Sequence, residues 1–177
     1  LDGFDPARDA LPVESLVAVD RWALARTADL QREILAAYAG YEFHRVYQQL
    51  HNFCIVDLGA FYLDVIKDRL YTTPAAGLPR RSAQTALWHI AEAMVRWLAP
   101  ILSFTAEEIW RFLPGQRAGS VLLSTWHGLP EVPPARIDWA SLLAVRELAA
   151  RALESRREAG VIGSGLDARL TIWADGA

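Results

Sequence analysis

The sequence has one cysteine, Cys54, one lysine, Lys67, and no long hydrophobic run. One cysteine excludes an intrachain disulfide framework and a four-cysteine zinc site, and points to a reducing, cytoplasmic setting. The most apolar stretch is HIAEAMVRWLAPILSFTAEEIW, from His89 to Trp110; its longest uncharged run is the ten residues Trp97 to Ala106. A membrane span needs roughly 18 or more. Pro100 also removes a helical N–H in mid-stretch, so two core helices broken at that proline are expected. The opening LDGFDPARDA is polar and acidic and lacks the apolar core of a secretory signal. A Gly-rich phosphate loop is absent as well. The nearest candidate, Gly160 to Gly165, follows no expected strand and precedes no expected helix. The chain begins on Leu1 without methionine and ends just after an apolar run, so both ends are expected to be cuts in a longer protein.

What is present is enough for one ordinary domain. At 177 residues, 53% apolar and 22% charged, the chain is globular and should bury roughly 70% of its unfolded surface. A net charge of −3 excludes a protein that coats nucleic acid through a broadly basic surface, but not one with a local basic patch.

Apolar residues three or four apart run along Pro12 to Ala39 (Leu16, Val19, Ala23, Leu30, Ile34, Ala37), the stripe of a helix stopped by Gly40. Tyr41 to Tyr71 gives a second helical region, with Phe43, Val46, Tyr47, Leu50, Phe53 and Cys54 on one stripe. A bend is expected at Gly59 before Phe61, Val65 and Ile66 resume the pattern. TTPAAGLP, 72–79, is a loop. A third helix is expected from Arg80 to Ala99, and a fourth from Ala106 to Leu113, capped by the box Thr105-Ala-Glu-Glu108. Asp138 opens a fifth, stopped by Gly160. VLLSTW, 121–126, and the alternating LDARLTIW, 166–173, are expected strands. The expected fold is therefore all-α: a bundle of about five helices with a small incomplete α/β piece at the C-terminal end. Residues 1–135 form the bundle, and 136–177 hold the final helix and the start of a junction region.

No constellation of catalytic groups emerges. His44 and His51, seven apart, lack a carboxylate partner at metal-ligand spacing and are expected on a helix surface or boundary. Asp64, Lys67, Asp68 and Arg69 fit ion pairs on adjacent helical turns. Cys54, flanked by Phe53, Ile55 and Val56, fits an inert, buried thiol. Trp22, Trp88, Trp97, Trp110 and Trp139 fall within helices and are expected in the core, while Trp126 and Trp173 stay open between packing and base stacking. The basic pairs are the most informative signal. Arg80-Arg81 opens a helix, where two cations are mildly unfavourable without an anion to face. Arg156-Arg157 ends one, where cations are favourable and so less telling.

FYLDVIKDRLY, Phe61 to Tyr71, together with RRSAQT after it, resembles isoleucyl-tRNA synthetases. LDGFDP (1–6), LVAVDRWALAR (16–26), YEFHRVYQQLHNFC (41–54) and LPRRSAQTALWHIAEAMVRWLAPILSFTAEEIW (78–110) continue the likeness in order, as does Val145 to Trp173. The LAPILSFTAEEIW type recurs in the related synthetases for valine, leucine and methionine, so it marks only the shared anticodon-binding bundle. A valyl or leucyl relative remains an alternative, and so does a helical protein-interaction scaffold with no nucleic-acid role. The resemblance implies a tRNA anticodon stem-loop binding module of an isoleucine–tRNA ligase. Its expected partners are tRNA(Ile) and the catalytic domain of the same polypeptide. HIGH and KMSKS motifs do not occur here, so the piece alone is expected to be catalytically inactive, with no cofactor of its own. ATP with magnesium, and zinc, belong to other parts of such an enzyme. A monomeric, cytoplasmic protein without a membrane role is expected. Arg80, Arg81, Lys67, Arg69, Arg156 and Arg157 are the candidate residues for tRNA or for a domain interface.

Overall fold

A computed structural model describes residues 1–173. The chain divides into two compact units, Leu1–Pro134 and Ala135–Ala177. The first unit is built from α1 (Pro6–Asp9), α2 (Ala18–Ala39), α3 (Phe43–Asn52), α4 (Leu63–Thr72), α5 (Leu78–Leu98) and α6 (Ser103–Phe112). The second holds α7 (Trp139–Glu158). Among the described residues no strand forms, and the all-α bundle stands.

The core lies where α2 and α5 pack together. Leu24, Leu30 and Ile34 of α2 are at most 1% exposed, as are Ala83, Ala86, Ala93 and Trp97 of α5. Alanines at these positions let the two backbones approach closely around a few large side chains. Trp97 is fully buried, packs edge-on to Phe53, and donates its indole N–H to Gln31 Oε1 at 3.1 Å. Its carbonyl accepts the Tyr38 hydroxyl at 2.6 Å, and burial pushes that phenol up to about 12.

The second helical region is continuous from Phe43 to Thr72, with no break at Gly59. Phe53–Tyr62 instead winds as a π-helix between α3 and α4. Each wide turn adds a residue, which moves the apolar stripe from Val46, Leu50 and Phe53 to Leu58, Tyr62 and Ile66. A Cβ at Gly59 would lie 3.0 Å from the Cys54 carbonyl oxygen, so the wide turn favours glycine there. The reset explains why Val65, expected inside, is 44% exposed.

Three further expectations change. α6 begins at Ser103, not Ala106, because Leu102 N–H already bonds back to Leu98 O and Ala106 N–H to Leu102 O across the Pro100 break. Thr105 therefore sits inside the helix. Glu107 caps a different element: its carboxylate accepts from Ser120 Oγ and from Val121 N–H at 2.9 Å. VLLSTW forms a short 3-10 turn, Val121–Leu123, with Val121 buried against Val95, Ala106 and Trp110. LDARLTIW forms no strand either: after the 3-10 turn Gly165–Asp167 it is irregular, with Leu166, Ile172 and Trp173 exposed. Period-two alternation needs a neighbouring edge to pair with, and the described residues offer none.

In the second unit Asp138 caps α7, accepting from Ala140 N–H at 3.1 Å and Ser141 N–H at 3.2 Å. Gly160, at φ +69°, closes the helix with Val161 N–H returned to Arg156 O. Both ends are as the sequence predicts. No residue of α7 is buried.

Candidate nucleic-acid interface

The candidate cations divide by what already holds them. Arg69, on α4, turns inward. Its Nη2 donates to Asp20 Oδ1 at 2.8 Å and its Nη1 to Asp20 Oδ2 at 3.0 Å. Asp20 is fully buried in the first turn of α2 and also accepts from the Tyr62 hydroxyl (2.9 Å) and Ser82 Oγ (2.5 Å). Burial, reinforced by that carboxylate, raises the Tyr62 phenol well above its ordinary range. This four-residue knot ties α2, the π-helix, α4 and α5 together, and it commits the Arg69 guanidinium to the fold. Lys67, two residues earlier, is exposed, and no ion pair joins it to Asp64 or Asp68 among the described residues.

Arg80 and Arg81 occupy the first turn of α5, but they differ. Arg81 pairs with Asp9 at 3.2 Å, and bonds Gly3 O at 3.2 Å and Gln84 Oε1 at 2.9 Å. The anion demanded at the start of that helix thus comes, for Arg81, from the chain itself. Arg80 forms no ion pair among the described residues, and its Nε is buried without a hydrogen-bond partner. Arg156 and Arg157 lie exposed in the last turn of α7, where Arg157 reaches Glu154 at 2.7 Å. The two pairs belong to different units.

A second charged cluster went unnoticed in the sequence. Glu92 of α5 holds Arg96 at 2.5 Å and Arg117 at 2.8 Å, and both guanidinium groups lie over the Trp110 ring, at 4.7 and 4.4 Å from its centroid. Burial alone would raise the Glu92 carboxyl, but its bonds to the two arginines outweigh that and leave it lowered. A cavity of about 320 Å³ adjoins this cluster and His127. His127 Nε2 sits 2.9 Å from His89 Nδ1, and burial depresses both rings to about 4, so the contact joins two neutral imidazoles. Glu92 pairs with both arginines, but Arg96 Nε and Arg117 Nε and Nη1 are buried without a hydrogen-bond partner, so one carboxylate serves two cations.

The sequence also misplaced an aromatic group. Phe43 and Tyr47, expected on the buried stripe of α3, are 49% and 63% exposed. Phe43 instead joins a ladder of rings at the end of α2. Trp126 stacks on Tyr38 (centroids 5.7 Å apart, 29° between planes), whereas Tyr38 meets Phe43 edge-on at 6.0 Å and 64°, and Phe43 meets Tyr41 edge-on at 6.2 Å and 88°. Tyr41, the outermost ring, is 81% exposed. The signal available in the sequence was Gly40-Tyr41: a helix closing on Gly40 throws the next residue outward.

Other candidates carry no chemistry. His44 and His51 are exposed on α3, and His51 rests against the Tyr47 ring. Burial raises the Cys54 thiol and leaves it protonated. Among the described residues no three His, Cys, Asp or Glu side chains come together as metal ligands, and no helix is long and apolar enough to cross a membrane.

Comparison with known proteins matches this architecture. The family model described as "Anticodon-binding domain of tRNA ligase" covers residues 20–172. The chain is 55% identical over 99% of its length to isoleucine–tRNA ligase from Stutzerimonas stutzeri, and 55% identical over 99% to that from Nitrosococcus oceani. The enzyme from Halorhodospira halophila is 54% identical over the whole chain. In each case the chain spans 19% of the relative's length.

Proposed function

The chain belongs to the family of anticodon-binding domains of tRNA ligases, and from that membership we propose that it holds the anticodon stem-loop of tRNA(Ile) for an isoleucine–tRNA ligase. The observation that carries this reading is identity of about 55% to such ligases along 99% of the chain. In the proposed division of labour, a rigid bundle fixes one end of the tRNA while distant parts of the longer protein perform ATP- and magnesium-dependent aminoacylation. Rigidity suits that task, since an aligned substrate gains rate only if its support does not yield. Zinc does not fit the residues in hand, which bring together no set of three ligands among those described. A cytoplasmic monomer is the matching physical state.

Lys67 and Arg80 are the cations of the bundle proposed to face phosphate. Arg156 and Arg157 form the equivalent candidate of the second unit. Arg69 and Arg81 support the surface from beneath through Asp20 and Asp9.

Titration of labelled tRNA at low and moderate salt tests the reading. Saturable binding that weakens as salt rises is expected. A scaffold with no nucleic-acid role would show none.

A further inference from the structure

Two helices of this chain end in the same hydrogen-bond pattern, with different residues at the demanding position. At the end of α7, Val161 N–H bonds Arg156 O, and Gly160 takes the left-handed conformation at φ +69°. At the end of α2, Glu42 N–H bonds Ala37 O at 2.8 Å, and the left-handed residue is Tyr41, at φ +57°. Gly40, one residue earlier, has φ −86°, which any residue can adopt. The sequence thus spends its glycine where none is needed and puts an aromatic where glycine is favoured. Tyr41 is the one non-glycine residue at positive φ among the described residues.

Stability does not account for this choice. With 81% of its surface exposed, Tyr41 gains little from burial to offset the strained backbone. What the conformation achieves is placement: the ring extends the Trp126–Tyr38–Phe43 ladder outward into solvent. The inner rungs are anchored, because the Tyr38 hydroxyl is bonded to Trp97 O in the core.

We propose that Tyr41, backed by Phe43, Tyr38 and Trp126, is a stacking platform for an unpaired base of the bound RNA loop. The proposal rests on the tRNA-binding reading and deepens it. An anticodon loop presents unpaired bases, each with a π-face that an aromatic ring can accept regardless of base identity. Tyr41 therefore adds affinity for looped RNA without reading its sequence.

The test uses the full chain and an RNA hairpin carrying 2-aminopurine in its loop, whose fluorescence is quenched on stacking, with a fully paired duplex as control. Tyr41→Gly should weaken hairpin binding roughly tenfold and relieve the quenching. Its thermal midpoint should equal or exceed the parent's, which a merely structural role for Tyr41 would not allow. Tyr41→Trp should restore binding, and duplex affinity should stay unchanged in both variants. If Tyr41→Gly binds the hairpin as tightly as the parent with quenching intact, the platform is overturned while tRNA binding stands. If the parent shows no saturable binding to the hairpin, both readings fall.

Discussion

Arg69 and Asp20 form a two-pronged ion pair, at 2.8 and 3.0 Å, between α4 and the first turn of α2, with the carboxylate fully buried. Burying a carboxylate is costly unless its lone pairs are answered. Here Tyr62 and Ser82 add two more donors to the two from Arg69. Ser82 Oγ in turn accepts Val17 N–H at 2.8 Å, extending the knot to the residue that opens α2.

Removing the cation alone leaves the carboxylate stranded. Arg69→Met is therefore expected to cost about 3–5 kcal/mol, and Arg69→Lys a smaller amount, because lysine cannot reproduce the fork. Urea unfolding followed by circular dichroism checks both. An Arg69→Met midpoint equal to the parent's would show that the pair does not hold the bundle together.

The facing imidazoles make stability pH-dependent. In the unfolded chain His89 and His127 take up protons near 6.5, whereas burial holds them to about 4 in the fold. Between those values the unfolded state binds more protons, so stability is fully present above about pH 6.5 and falls as pH drops toward 4. Arg96 opposes and Glu92 favours protonation of His127, and Glu92, with its own carboxyl held low, adds a further loss at the acid end. Thermal midpoints across that window should decline steadily, and His127→Gln should flatten the decline. A flat profile in the parent would mean that the rings are solvated.

A third expectation concerns the outer face of α6. Phe104 and Phe112 are 94% and 82% exposed, with Leu123 of the following turn at 78%. Side chains so free of contacts carry little folding energy, so Phe104→Ser with Phe112→Ser should stay within about 0.5 kcal/mol of the parent. Any concentration-dependent association of the chain, proposed above as a monomer, should be no greater in the variant, because fewer exposed apolar groups remain. Sedimentation across a concentration series measures it. An unfolded double variant would show that these rings pack.

Legibility followed the range of the forces involved. Periodicity located α2 and α5, because a stripe such as Ala23, Leu30 and Ile34 is local in sequence and directly reports the buried face, while α7 was marked by its ends, Asp138 and Gly160. The Pro100 break was equally plain, since a missing N–H acts where it stands. The π-helix was not legible, because the extra residue per turn is imposed by packing of Leu58 and Tyr62 and leaves only Gly59 as a trace. Strand expectations at 121–126 and 166–173 failed because alternation states a preference for a partner edge without supplying one. Among the basic residues, sequence placed Arg80 and Arg81 correctly at a helix start, but could not see that Asp9 sits beside only Arg81. The aromatic ladder was hidden for a like reason: Trp126 joins Tyr38 across a long stretch of chain.

That difference between Arg80 and Arg81 makes the final prediction. Arg81 is 13% exposed and bonded to Asp9, Gly3 O and Gln84. Arg80 makes no ion pair among the described residues, and its Nε is a buried donor left over. Both follow Pro79 at the start of α5, where backbone N–H groups already favour an anion. If RNA phosphate supplies that anion to Arg80, the residue should contribute roughly 0.7 to 0.9 to the salt slope of log K, depending on strandedness. Arg80→Gln should then flatten the slope by about that amount, equally for cognate and non-cognate tRNA, because phosphates carry no sequence. Arg81→Gln should leave the slope unchanged and lower the unfolding midpoint, since what it loses is the tie between α5 and α1. One salt titration and one denaturation curve per variant separate the two roles. An Arg80→Gln variant that folds normally and keeps the parent slope would place the tRNA backbone elsewhere on the bundle, and a reduced slope in Arg81→Gln would mean that Asp9 yields its partner when RNA binds.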